Sequence, residues 1–142
     1  MKTVKHILKS KPAIVYSVAQ DVSVLEALKI MMEKNISALL VIENGGLLGI
    51  FTERDYARKI ILQGKSSKET SISEAMTKTP RTITPDEAID HCMQLMTTNH
   101  FRHLPVVENG TVIGMLSIGD LVKHIIEDQQ QTISQLESYI NS

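Results

Sequence analysis

The strongest constraint on this chain is that it repeats itself once. Shifted by 65 positions, Ser17–Ile61 aligns with Thr82–Ile126 without a gap, and 11 of the 45 columns are identical. Among them are Asp21/Asp86, Met31/Met96, Leu39/Leu104, Val41/Val106, both Glu-Asn-Gly runs, Gly49/Gly114 and Asp55/Asp120. A lead segment precedes each copy: Val4–Pro12 matches Ile72–Pro80 at an offset of 68, so copy one carries three extra residues near Ala13–Val15. Two copies are too few, and the period too long, for a solenoid. The pattern instead describes a pseudo-twofold pair packed into one unit.

Each copy reads as the same small α/β unit. Val24, Ala27, Leu28, Met31 and Met32 fall at i, i+3, i+4, i+7 and i+8, one apolar face of a helix; copy two places Ile89, Cys92, Met93, Met96 and Thr97 there. Cys92 shares the Ala27 column, which reads as a small buried hydrophobe rather than a nucleophile. A short apolar strand follows (Ala38–Ile42, His103–Val107), then Glu-Asn-Gly, then a second strand (Leu47–Phe51, Thr111–Leu116). Asn-Gly between apolar runs is the hairpin signature, because both central residues tolerate positive φ. Pro105 lies inside one strand and marks an edge or an unpaired side. A second helix follows at Glu53–Leu62 and from about Ile118, so the order is strand (Tyr16–Val18, Thr82–Thr84), helix, hairpin, helix. The division is therefore 1–62 for copy one with its lead, 63–71 as a polar surface linker, 72–127 for copy two, and 128–142 as a C-terminal helical extension. The apolar residues Ile125, Ile126, Ile133, Leu136, Tyr139 and Ile140 allow one long amphipathic helix there, for which a partner subunit is a natural cover.

Composition narrows the functional classes. With 42% hydrophobic residues, the 142-residue chain can bury a core without staples. One cysteine excludes a disulfide framework and a multi-cysteine zinc site, and points to a reducing, cytoplasmic compartment. The longest apolar run, Ala38–Ile42, has five residues, far below the roughly 20 of a membrane span, and the basic N-terminus lacks a signal peptide's apolar stretch. Fifteen Lys and Arg against sixteen Asp and Glu give a net charge of −1, without the basic footprint of a nucleic-acid binder, and two Phe, three Tyr and no Trp offer little base-stacking surface.

Chemistry concentrates at the strand-to-helix junctions. Copy one has Gly49-Ile-Phe-Thr-Glu-Arg-Asp55 and copy two Gly114-Met-Leu-Ser-Ile-Gly-Asp120: Gly, two apolar residues, Thr or Ser, two variable residues, Asp. One reading is a helix-capping box, with Asp where Glu is usual. The other is a ligand cradle. A helix N-terminus favours phosphate, a carboxylate accepts from a vicinal diol such as ribose, a hydroxyl donates to an oxyanion, and a strand-end glycine admits close approach.

The paired units, their element order and the two Gly-h-h-[Ser/Thr]-x-x-Asp junctions resemble a tandem pair of CBS domains, the cystathionine β-synthase-type regulatory modules, from about Lys5 to Glu127. The resemblance implies an α/β (α+β) fold of two repeats packed through their sheets, standing alone with no catalytic domain, and homodimers packed through helices. It implies clefts for adenosine-containing ligands: AMP, ADP or ATP, with NAD and S-adenosylmethionine as rivals. Asp55 with Thr52 would then mark one site and Asp120 with Ser117 the other. Adenine contacts would come from Lys11-Pro12, Thr79-Pro80, Ile36-Ser37-Ala38 and Phe101-Arg102-His103. The copies differ: Arg54 lies inside the first motif where copy two has Gly119, and Arg102-His103 replace Ser37-Ala38. Arg pairs bidentately with phosphate, so Arg54 and Arg102 are candidates for the phosphate end, His103 is a possible donor, and the two sites should differ in affinity.

Other constellations fail. The chain has no Gly-x-x-x-x-Gly-Lys-[Ser/Thr], Gly45–Gly49 lies inside the hairpin, and His91, His100 and His103 lack zinc spacing, so the sequence requires no metal and an enzyme is not expected. Two function classes remain: a sensor whose ligand changes the surface offered to a partner of unknown identity, and a ligand-independent dimeric interaction module.

Overall fold

The fold is given by a computed structural model, which describes residues 2–12 and 14–141. Copy one runs α1 (Val4–Lys9), β1 (Ser17–Val18), α2 (Val24–Lys34), β2 (Ala38–Glu43), β3 (Gly46–Thr52) and α3 (Glu53–Tyr56), which continues as a π-helical turn over Ala57–Ile61. Copy two runs α4 (Ile72–Ala75), β4 (Thr77–Lys78), α5 (Ile89–Asn99), β5 (His103–Glu108), β6 (Thr111–Ser117) and α6 (Ile118–Asn141). Of the three extra residues near Ala13–Val15, Ala13 lies outside the described residues.

Local signals place these elements. Ser23 Oγ caps α2 by accepting from Glu26 N, and the helix ends on Asn35 in the left-handed region; His100, in the same column, ends α5 the same way. Val24, Ala27 and Met31 are buried as the periodicity predicts, while Met32, at the edge of that stripe, is 80% exposed. Both hairpins turn on positive-φ pairs, Asn44-Gly45 and Asn109-Gly110.

The two sheets are unequal. One has four strands in the order β1-β2-β3-β4; the other has only β5 and β6. Thr82–Thr84, which the repeat predicts as a strand, contributes a single parallel bridge from Ile83 to Val106. Pro105 is the cause. In copy one Leu40 N donates to Tyr16 O, lengthening the β1–β2 ladder; Pro105 fills the Leu40 column and has no N–H to donate.

Sequence order and packing order also differ, because the lead segments are exchanged. Val4 and Ile7 of α1 pack in the core of copy two, against residues such as Ile89, Cys92 and Leu121. Ile72, Ala75 and Met76 of copy two's lead pack in the core of copy one, with Val24, Phe51 and Ile60. Backbone bonds fix both crossings: Val4 N donates to Glu87 O at 3.0 Å and Ile72 N to Val22 O at 2.7 Å. The 63–71 stretch shares in this, since Thr70 is buried and its carbonyl accepts from Val24 N at the start of α2. A third cluster, Ala38, Leu40 and Ile50 with Val15, Val112 and Met115, is where the sheets of the two copies meet.

The exchange explains the paired strand glycines. A Cβ on Gly49 would lie 2.6 Å from Met76 Sδ and 2.8 Å from Thr77 O, and one on Gly114 would lie 2.9 Å from Leu8 Cδ2. The space that the sequence reading leaves beside these glycines for a ligand is taken by the other copy's lead segment.

The long C-terminal helix forms as the spacing predicts. Val122, Ile126, Ile133 and Leu136 are among its exposed residues, and its apolar positions recur at 11 residues, Val122/Ile133 and Ile125/Leu136. An 11-residue period runs almost parallel to a helix axis, which suits side-by-side helix pairing.

Gly49→Ala should destabilise the protein by about 1–3 kcal/mol, the usual range for overpacking, and Gly114→Ala by about 1 kcal/mol or less. The difference arises because Thr77 O is held by the β3–β4 ladder, whereas the end of the Leu8 side chain can rotate away. Urea midpoints of the two variants check the order.

Candidate functional site

Each Gly-h-h-[Ser/Thr]-x-x-Asp junction joins a strand end to the first helical turn. Asp55 N donates to Thr52 Oγ1 at 3.2 Å while Asp55 Oδ2 accepts from Thr52 N at 2.9 Å. Asp120 and Ser117 repeat this at 3.1 Å and 2.9 Å. Both motifs are thus reciprocal capping boxes built with Asp. The shorter side chain still reaches because the cap residue is extended, with φ −123° at Thr52.

Beyond the cap the two aspartates differ. Asp55 is buried, and its Oδ1 accepts from Thr77 Oγ1 at 2.9 Å and faces Lys59 Nζ at 3.3 Å. Lys59 stands one turn further along the same helical segment and also donates to Met76 O. Asp55 therefore ties its own helix to the exchanged lead of copy two, with both oxygens engaged. Asp120 is half-buried and meets Lys11 Nζ at 2.7 Å, again from an exchanged lead. This ion pair and the cap both fall on Oδ2, so among the described contacts Oδ1 carries neither. Burial pushes the Asp120 carboxyl up, but the Lys11 hydrogen bond and charge and the Ser117 N–H outweigh it and hold the group below the ordinary carboxylate value.

A cleft of about 390 Å³ opens beside this second junction. Lys11, Pro12, Ile14, Val15 and Tyr16 from copy one's lead line it, with Ile36, Ser37 and Ala38 at the start of β2 and His103, Met115 and Ser117 from copy two. Ile14 and Val15 belong to the extra residues of copy one, which gives this cleft a wall without a counterpart in the repeat. Ser37 Oγ and His103 Nε2 lie 3.2 Å apart. Burial lowers the His103 pKa; Asp120 opposes the shift, and Arg102 and Lys11 add to it, which favours the neutral imidazole.

The residues singled out by the sequence thus fall into two groups. Ser37, Ala38, His103 and Ser117 line the cleft beside Asp120. Thr52, Arg54 and Asp55 lie at the other junction, where Arg54 Nη1 donates to His100 O at 3.4 Å and so reaches copy two. Thr79 lies just past the end of β4 and has φ +49°, a left-handed conformation rare for a β-branched residue. Its N–H donates to Leu48 O. Arg102 is exposed ahead of β5. Cys92 is fully buried, and burial, with the charge of Glu87, pushes its thiol up to about 11, so it stays protonated. His91 pairs with Glu87 at 2.7 Å.

Sequence reasoning missed the ammonium of Lys11 and the partners of Asp55, Thr77 and Lys59. The signal for Lys11 was present: at the offset of 68 its column holds Thr79 in copy two, so one lead carries a cation that the other lacks. Thr77 and Lys59 gave no such signal, because only the crossing of the leads brings Thr77 to Asp55.

No helix among the described residues is long and apolar enough to cross a membrane. The chain is 43% identical over 125 residues to the mitochondrial CBS domain-containing protein CBSX3 of Arabidopsis thaliana, covering 84% of this chain and 61% of that protein. It thus spans less than two thirds of that relative's length. The structure of a CBS-domain protein from Burkholderia ambifaria superposes with a TM-score of 0.87 at 50% identity, over 90% of this chain and 96% of that one. The CBS domain pair of protein MJ0100, solved with 5′-methylthioadenosine and S-adenosyl-L-methionine, gives a TM-score of 0.79 at 31% identity, over 90% and 98% of the two chains. The sequence profile of the CBS domain matches residues 4–62 and 72–127, one match in each half of the internal repeat, and the chain belongs to the CBS-domain family.

Proposed function

We propose that the protein is a regulatory module, not an enzyme, that binds an adenosine-containing ligand in the cleft beside Asp120 and passes that binding to a partner protein. One observation carries this reading: Ser37, His103, Ser117 and the Lys11 ammonium line one cleft, and Lys11 and Ser117 both bond Asp120, a half-buried carboxylate whose Oδ1 takes neither of those contacts. Such a set offers an acceptor for a diol and donors for phosphate oxygens. AMP, ADP or ATP fit it best, with NAD and S-adenosylmethionine as the other candidates. The two ligands found with the MJ0100 pair support the adenosine class. Asp55, buried with both oxygens engaged, makes the other junction the weaker site; Thr52, Arg54, Thr79 and Arg102 would serve there. The single, buried Cys92 agrees with a reducing compartment, which we take to be the cytoplasm.

To act as a sensor, the ligand must bind two arrangements of the protein unequally. The apolar stripe of α6 supports a homodimer as the unit in which this happens. A second reading, a dimeric module that binds nothing, draws support from the capping boxes, since both aspartates already have a structural task.

A thermal-shift panel of AMP, ADP, ATP, NAD and S-adenosylmethionine separates the two. A ligand at about 100 times its Kd adds about 2.7 kcal/mol, a rise of several degrees for a chain of this size. We expect Asp120→Ala to abolish the shift. Asp55→Ala should lower the unliganded midpoint, losing about 1–3 kcal/mol by stranding buried donors, yet keep most of the shift. No shift with any compound would favour the ligand-independent module. The assembly is checked by sedimentation: Ile133→Asp with Leu136→Asp should convert dimer to monomer while circular dichroism of the fold persists.

A further inference from the structure

Resting on the reading of the Asp120 cleft as an adenosine site, we propose that Lys11 selects its ligands, because it occupies Asp120 in the free protein and only an anionic ligand can take over its ammonium. Three observations carry this. Lys11 Nζ lies 2.7 Å from Asp120 Oδ2 and 2.8 Å from Met115 O, with the Lys11 side chain 30% and the Asp120 side chain 23% exposed. The ion pair borders the cleft, since Lys11 and Ser117, the two partners of Asp120, both line the cavity. Lys11 also follows α1 in irregular chain, on a flexible four-carbon stem able to swing without disturbing a helix. At the other junction the cation facing Asp55 is Lys59, fixed on the same helical segment, and the Lys11 column holds Thr79. The device belongs to one cleft only.

The consequence is a charge balance. A ribose diol that engages the carboxylate with both hydroxyls competes with the ammonium for Oδ2. Displaced into a half-buried cleft beside His103, the ammonium keeps Met115 O but loses its counter-charge. A ligand phosphate restores one, and the lysine moves from carboxylate to phosphate. Uncharged adenosine restores nothing. The cleft should therefore rank AMP above adenosine, although both present the same diol.

Isothermal titration of the full chain with AMP and with adenosine tests this in wild type, Lys11→Met, Lys11→Gln and Asp120→Ala. We expect AMP to bind wild type about tenfold or more tighter than adenosine, the scale of one partly exposed charge contact. In either Lys11 variant AMP should weaken and adenosine should tighten several-fold, so that the preference collapses. Asp120→Ala should bind neither. Adenosine that binds the Lys11 variants no better than wild type, while Asp120→Ala still abolishes binding, overturns the selector role and leaves the nucleotide site standing. Failure of both compounds to bind wild type and every variant overturns the site and the selector together. Lys11→Gln, which retains a hydrogen-bonding side chain, keeps the test open should Lys11→Met not fold.

Discussion

The lead segment of each copy crosses over to complete the core of the other. α1 supplies Val4 and Ile7 to the core of copy two, and the α4 region supplies Ile72, Ala75 and Met76 to the core of copy one. Each copy's apolar face is thus covered by the lead of the other copy. The paired glycines follow from the same fact. Gly49 and Gly114 stand where a strand must let the other copy's lead pass at van der Waals distance, and a methyl group there would meet Met76 and Thr77, or Leu8.

The candidate sites inherit this geometry. Each motif aspartate is capped by its own junction and then met by a residue from a crossing lead, Thr77 for Asp55 and Lys11 for Asp120. Thr77 and the same-helix Lys59 engage the second oxygen of the buried Asp55, while Lys11 meets the half-buried Asp120 on the oxygen that the cap already uses. The repeated motif thus yields two unequal environments without any change in the motif itself. The difference lies in which residue the other copy's lead delivers. A ligand in the Asp120 cleft would touch both copies at once, since Lys11 to Ala38 lie on one side and His103 to Ser117 on the other.

Much of this was legible in the chain. The offset of 65 with Asn44-Gly45 and Asn109-Gly110 identified both hairpins, the helical spacing identified α2 and α5, and the column shared with Ala27 marked Cys92 as a core residue. The junction motif located both aspartates, and the capping reading and the cradle reading describe the same atoms. Three features were less visible. Thr82–Thr84 forms a single bridge because Pro105 lacks a donor toward it, a consequence of pairing partners rather than of local propensity. Met32 is exposed because the stripe on α2 is narrower than its apolar residues. The glycines read as room for a ligand are occupied by side chains distant in sequence.

The repeat, the type and order of most elements, and the residues at each junction can be read from the chain alone. These depend on short-range physics: hydrophobic period, positive-φ turns and a cap closing over three residues. The tertiary structure alone decided which lead serves which core, which aspartate stays open and what neutralises it. Those outcomes depend on contacts between residues far apart in the chain, such as Lys11 with Asp120 and Thr77 with Asp55. A periodic pattern records that a face must be covered but not which segment covers it, so the difference between the two sites arises only once the chain has crossed over itself.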